Sequence, residues 1–124
     1  MNKILILEDD RKLNDGIRLA LRREDCTFLQ CQTIEEAREL LKKEKVRLIL
    51  LDLNLPDGNG LDFLQEIRAK SAVPVIIITA NNMETDIVMG LELGANDYIT
   101  KPFSLMVLRA RAGVQLRQQD MSGQ

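Results

Sequence analysis

Two short runs of this sequence, Ile49-Leu50-Leu51 and Val75-Ile76-Ile77-Ile78, are apolar at every position rather than at alternate ones. Successive side chains of a strand point to opposite faces, so a segment that is apolar throughout must be covered on both. That requirement selects a parallel sheet held between helix layers. Reading the whole chain for similar runs predicts strands at Ile4–Leu7, Thr27–Cys31, Leu48–Leu51, Val75–Thr79 and Tyr98–Thr100.

Apolar residues at helical spacing fill the intervals. Leu13, Ile17, Ala20 and Leu21 share one face of the first helix, with Arg11, Asn14, Arg18 and Arg22 opposite. The second stripe is Ile34, Ala37, Leu40 and Leu41, with Thr33 as N-cap and Glu36 completing a capping box. Leu61, Leu64 and Ile67 form the third, Met83, Ile87 and Leu91 the fourth, and Leu105, Leu108 and Ala112 the fifth, each expected to face a core. Asp57-Gly58-Asn59-Gly60 reads as a loop and Gly94 as the stop of the fourth helix. The strand–helix alternation gives an α/β domain, a doubly wound (βα)₅ with right-handed crossovers. By analogy with flavodoxin-like folds of this length, the five-stranded parallel sheet takes the order 2-1-3-4-5. Residues 1–118 are expected to form this domain and residues 119–124 a polar linker or tail.

Composition removes several function classes. A net charge of −2 argues against this segment holding nucleic acid by itself. The count of zero histidines excludes Ser-His-Asp and Cys-His nucleophiles and zinc sites of ordinary composition. Cys26 and Cys31 have no further Cys or His to complete a metal site and read as reduced thiols. The apolar stretch before Glu8 is too short for a signal peptide, and no run approaches a membrane span, so a cytoplasmic location is expected.

Ligands of an open parallel sheet bind beyond the carboxyl ends of its strands, near the reversal of strand order. The first strand delivers Glu8-Asp9-Asp10 to that edge, the third Asp52, the fourth Thr79 and the fifth Lys101-Pro102. Carboxylates crowded at a dry edge must be neutralised. With no histidine or thiolate on offer, the oxygen-rich set suits a hard cation, Mg²⁺ with several waters retained. Lys101 can neutralise one carboxylate. Such a site is built for an anion with three equatorial oxygens, one held by the metal, one by Lys101 and one by the Thr79 hydroxyl. Asp52, on the central strand, is the best-placed nucleophile and would become an acyl phosphate. Asp10 reads as the cap of the first helix, and Tyr98 as a half-buried core aromatic in preference to a moving residue.

Four segments resemble the signature stretches of two-component response-regulator receivers: Ile4–Asp10, Leu51–Gly60, Ile78–Ala80 and Gly94–Phe103. The resemblance covers about Lys3 to Leu116. It implies that Glu8 and Asp9 hold Mg²⁺ with Asp52, the phosphoacceptor, and that the backbone carbonyl of Asn54 is a further ligand. It implies that Thr79 and Tyr98 rearrange together on phosphorylation and that Lys101 contacts the phosphoryl group across a cis Lys101–Pro102 bond. The donor would be a phosphohistidine on a separate sensor histidine kinase. Such a domain is a signalling phosphoacceptor that catalyses its own phosphoryl uptake and loss, and is not otherwise an enzyme. Asn54 and Asn81, two residues past Asp52 and Thr79, are expected to tune the lifetime of the acyl phosphate.

Gly90–Tyr98 with Ala110-Arg111 is similar to the OmpR/PhoB subfamily, whose members carry a C-terminal winged-helix DNA-binding domain. That likeness implies a homodimer on activation through the face of the fourth helix, fifth strand and fifth helix, with Asp97 and Arg111 matching one of its charged pairs. DNA would be bound only through an effector domain outside these residues. The sequence departs from the subfamily at Val107, where many members have Glu, and at Asn96, where Asp is common. Rival readings fit less well. A haloacid-dehalogenase-type phosphatase wants a second Asp where Asn54 stands, and Glu8-Asp9-Asp10 would repel the phosphate of a flavin. The remaining alternative is a stand-alone or phosphorylation-independent pseudo-receiver acting through protein contacts.

Overall fold

The computed structural model describes residues 2–122. Its main sheet contains β1 (Asn2–Leu7), β2 (Cys26–Cys31), β3 (Leu48–Leu51), β6 (Val75–Thr79) and β7 (Asp97–Thr100). All pair in parallel, in the order β2-β1-β3-β6-β7. That is the expected 2-1-3-4-5 order once the two-residue strands β4 (Asn54–Leu55) and β5 (Gly58–Asn59) are set apart as a small antiparallel hairpin. The stretch expected to be plain loop at Asp57–Gly60 thus contains β5 and the first residue of the next helix.

The apolar strands divide their side chains between two cores. Ile49, Leu51, Val75 and Ile77 enter one, with α2 (Ile34–Lys43) and α3 (Gly60–Arg68) packed over them. Leu48, Leu50, Ile76 and Ile78 enter the other, under α1 (Arg11–Leu21) and α5 (Leu105–Ser122). Each side chain removed from water in this way contributes roughly 2 kcal/mol. The caps follow sequence. Thr33 accepts from the Glu36 N–H, and Glu36 accepts in return from the Thr33 hydroxyl and the Gln32 N–H. Asp10 caps α1 by accepting from the Leu13 N–H at 3.2 Å. Gly94 has φ +114, a backbone that side chains disfavour, just past α4 (Glu84–Glu92).

Three expectations are corrected. Leu105, expected to face a core from α5, is exposed. The stripe Met83, Ile87 and Leu91 does not face a core, since Met83 is the residue before α4 and, like Leu91, is exposed. The helix instead approaches the sheet through Gly90, whose missing side chain makes room for Ile77 and the Tyr98 ring. Asn14, assigned to the solvent face of α1, is buried at 2% exposure. Helix α5 runs on to Ser122, into residues 119–124, because no Gly or Pro interrupts Val114–Ser122; Gly123 and Gln124 lie outside the described residues.

Asp57, in the β4–β5 turn, supplies a second cap to α2. Its carboxylate accepts from the N–H groups of Ile34 at 2.9 Å and Glu35 at 3.1 Å. The Ile34 N–H is the largest cause holding this carboxyl below its ordinary value of 3.8. Asp57→Ala is expected to lower the urea midpoint at pH 7. Because the folded-state pKa is the lower one, this stabilisation exists above pH 3.8 and fades as pH falls through the folded value. Parallel urea curves at pH 7 and pH 3 check it; an unchanged gap at pH 3 would show that the carboxylate is not the cause.

Candidate functional site

The sheet order carries the site. β1 and β3 are neighbours, so Asp52, whose N–H donates to the Leu7 carbonyl at 3.0 Å, lies beside Glu8. β7 is two strands away, but its exit turns back across the edge: the Lys101 N–H donates to the Thr79 carbonyl at 2.8 Å, and the Lys101–Pro102 bond is cis. The ammonium thereby reaches both acids, 2.6 Å from Glu8 Oε1 and 3.0 Å from Asp52 Oδ2.

Glu8 and Asp52 are buried while Asp9 is exposed, and one oxygen from each of the three lies within 4.8 Å of the others. Each remaining oxygen of the inner pair is occupied from the backbone. Asp10 N–H donates to Glu8 Oε2 at 3.1 Å, and Asn54 N–H donates to Asp52 Oδ1 at 3.2 Å. Glu8 Oε1 is neutralised in charge by Lys101 yet takes no well-directed hydrogen bond, leaving a buried lone pair free. An all-oxygen donor set with such a lone pair fits a hard divalent cation. Burial pushes the Glu8 carboxyl up to about 7, against the pull of Lys101 and the Asp10 N–H. Burial disfavours the Lys101 charge as well, but its two carboxylate partners outweigh it and hold the ammonium above its ordinary value.

Thr79 is fully buried beside this cluster, its hydroxyl accepting from the Asn81 N–H at 3.4 Å. Tyr98 is half-buried and donates its hydroxyl proton to the Asn81 carbonyl at 2.9 Å. The Asn81 side chain turns away to α4, donating to Asp86 at 2.9 Å and accepting from the Met83 N–H at 3.1 Å. Asn54 is exposed above Asp52. Asp97 and Arg111, on β7 and α5, form an ion pair within the chain at 3.0 Å, remote from the acidic cluster. Val107 is exposed on α5, as is Met106, and Val88, Met89 and Leu91 are exposed on α4.

Some residues escaped the sequence reading. Asn14 lies directly behind Glu8. Arg68, at the end of α3, donates to the carbonyls of Gly94 and Ser71 and to Asn96 Oδ1, which also accepts from the Val75 N–H at 2.9 Å. Asn96 is therefore a pin between β6 and the start of β7, through an oxygen that an Asp would supply as well. No local pattern marks these residues, because the contacts that place them come from other elements: Cys31, 17 positions from Asn14, and Gly94 and Asn96, 26 and 28 positions from Arg68. A wide groove of about 1010 Å³ among Lys42, Lys45, Val46, Lys70 and Val73 lies at the amino ends of the strands and takes no part in this chemistry.

The response regulator receiver domain model matches residues 4–113. The chain belongs to that family. It is 44% identical to the transcriptional regulatory protein CpxR of Klebsiella pneumoniae across all of this chain and 53% of the relative. With the regulatory protein VanR of Enterococcus faecium the identity is 41%, over 94% of this chain and 50% of the relative. These relatives are regulators of the OmpR/PhoB type, and the receiver chain spans about half their length. Among solved structures, the BeF3-activated receiver domain of Klebsiella pneumoniae RstA superposes with a TM-score of 0.87 at 32% identity, covering 94% of this chain and 99% of that one. Among the described residues of the receiver, no helix is long and apolar enough to cross a membrane.

Proposed function

We propose that this receiver takes a phosphoryl group onto Asp52 from a phosphohistidine of a sensor histidine kinase. The observation that carries the reading is the Lys101 ammonium held between buried Glu8 and Asp52, with Asp9 at the rim. Glu8, Asp9 and Asp52, joined by the Asn54 carbonyl, would hold Mg²⁺. Bound there, the ion supplies positive charge to the phosphoryl oxygens. A carboxylate oxygen of Asp52 forms a bond to phosphorus as the phosphorus–nitrogen bond of the donor breaks. The electron pair stays on the imidazole nitrogen, which takes a proton from solvent. Lys101 and the Thr79 hydroxyl each hold a transferred oxygen. In hydrolysis, water oxygen bonds to phosphorus, the Asp52 carboxylate leaves, and inorganic phosphate carries off the proton. Asn54 and Asn81 set how readily that water arrives.

Drawing Thr79 toward the new phosphoryl group loosens the Asn81 turn on which the Tyr98 hydroxyl rests, so the two residues shift together. The exposed apolar side chains of α4 and α5, together with the Asp97–Arg111 pair on β7 and α5, support a phosphorylation-dependent homodimer on that face. DNA binding and transcription control would fall to a C-terminal effector domain, reached through residues 119–124 and of the kind for which the relatives' remaining length has room. The cytoplasm is the compartment where kinase and promoter would both be met.

The test is incorporation of labelled phosphate from acetyl phosphate. The wild type is expected to take up label only with Mg²⁺, and Asp52→Asn to fall to background. Label at wild-type level in that variant would move the acceptor elsewhere; no label on the wild type, from acetyl phosphate or a kinase, would favour the phosphorylation-independent pseudo-receiver.

A further inference from the structure

Two side chains outside the acidic cluster hold the Glu8–Asp9 turn: Gln32, whose Nε2 donates to the Asp9 carbonyl at 3.4 Å, and Asn14 from behind. Asn14, one turn into α1, is buried at 2% exposure. Its Nδ2 donates to the Glu8 carbonyl at 3.0 Å and to the Cys31 carbonyl at 3.1 Å. The Cys31 carbonyl also accepts from the Glu8 N–H at 3.1 Å, so both backbone groups of Glu8 are tied to one point at the end of β2. The Asn14 N–H accounts for the Asp10 carbonyl at 2.9 Å, while Asp10 caps Leu13. The three-residue turn Glu8-Asp9-Asp10 is thereby fixed at both ends by the same residue.

The acceptor side of the amide is occupied too. Gln30 Nε2 donates to Asn14 Oδ1 at 2.9 Å and to Asp15 Oδ1 at 2.8 Å. With Oδ1 taken by a donor, the Asn14 amide has one orientation, Nδ2 toward Glu8. A line of hydrogen bonds therefore runs from Asp15 and Gln30 at the surface through Asn14 to the backbone that carries Glu8. A helix-to-strand pin would serve as well lower on β1; this one stands at the residue whose carboxylate faces Lys101 and carries the free lone pair.

We propose that Asn14 is a positioning residue for the cation site: its amide, oriented by Gln30, fixes the Glu8–Asp9 turn and thereby sets divalent-cation affinity. This rests on the acidic cluster binding a cation, as proposed above. Groups that orient metal ligands from behind typically account for a factor of about 10 to 100 in affinity.

The experiment is Mg²⁺ titration by calorimetry on wild type, Asn14→Leu, Gln30→Leu and Ile67→Val. Urea curves on each variant identify conditions where it is fully folded. Ile67→Val trims the core at the far end of α3 and controls for general destabilisation. Asn14→Leu is expected to bind Mg²⁺ about tenfold more weakly. Gln30→Leu, which leaves the Glu8 contact in place but removes the donor that braces Asn14 Oδ1, should weaken it about threefold on the same argument. The control should match the wild type. If folded Asn14→Leu binds as the wild type does, the proposal is overturned; should that variant not fold, wild-type affinity in Gln30→Leu overturns it. Equal weakening in Ile67→Val would reduce Asn14 to a stability residue and overturn it as well. A wild type that binds no Mg²⁺ would instead sink the cation reading on which the proposal stands.

Discussion

Gly60→Ala is expected to destabilise the domain by about 3 kcal/mol, the upper end for forcing one methyl into packed space. A Cβ on Gly60 would sit 2.5 Å from the Asp52 carbonyl oxygen and 2.7 Å from Leu53 Cα. Both are backbone atoms and cannot swing aside as a side-chain tip can. Gly60 also donates its N–H to the Leu53 carbonyl at 2.9 Å, so the start of α3 is stitched to the segment it would have to push away. That segment carries Asp52 and the Asn54 N–H that orients it. A fall in the urea midpoint and, in the folded fraction, slower labelling from acetyl phosphate should therefore appear together. The contrast is Gly58, where the atom met at 2.9 Å is only the end of the Ile34 side chain. A Gly60→Ala protein within about 0.5 kcal/mol of wild type, the range of ordinary surface changes, would mean that the hairpin yields freely and that this close approach does not fix Asp52.

Lys101→Met should cost about 3 kcal/mol in metal-free protein at pH 8, the lower end for stripping the partner from a buried charge. Methionine keeps the length of the side chain and removes the ammonium that lies 2.6 Å and 3.0 Å from two carboxylates. Those carboxylates expose 0% and 3% of their side chains, so water cannot take over the role. The Lys101 side chain is 23% exposed, which is why the lower end of the range applies. Magnesium should restore more stability to the variant than to the wild type, since it would supply the missing positive charge. Phosphoryl uptake should still slow by about a hundredfold, the effect of losing one charged contact to the transferred oxygens. Urea unfolding in chelator and in Mg²⁺, with a labelling time course, reads all three. Wild-type stability in chelator would show that Glu8 and Asp52 are relieved by something other than Lys101.

The strands and the acidic residues at their ends were legible because each depends on local pattern. Runs apolar on both faces force a covered parallel sheet, while the order of its strands came by analogy with flavodoxin-like folds of this length. Glu8, Asp52, Thr79 and Lys101 could be singled out because each stands where a strand ends. The fourth helix was misread for a related reason: Met83, Ile87 and Leu91 keep helical spacing, yet spacing records periodicity and not which face is covered. What anchors that helix is Gly90, an absence of side chain that no hydrophobic pattern can register. Asn14 was placed with the arginines of α1 because it is polar. Its burial depends on carbonyls at Glu8 and Cys31 that only the folded chain brings to it.

Taken alone, the sequence determined which chemistry was available: three carboxylates, a hydroxyl and an amine at strand ends, with no histidine or metal-binding thiol pair beside them. Tertiary structure decided how those groups share charge. It set Lys101 between Glu8 and Asp52, left one Glu8 oxygen without a hydrogen bond, and put Asn14 behind the turn that aims it. The division has a physical origin. Residue type and period are properties of the chain, whereas distance, burial and the local dielectric belong to segments far apart in sequence that meet only when the sheet closes.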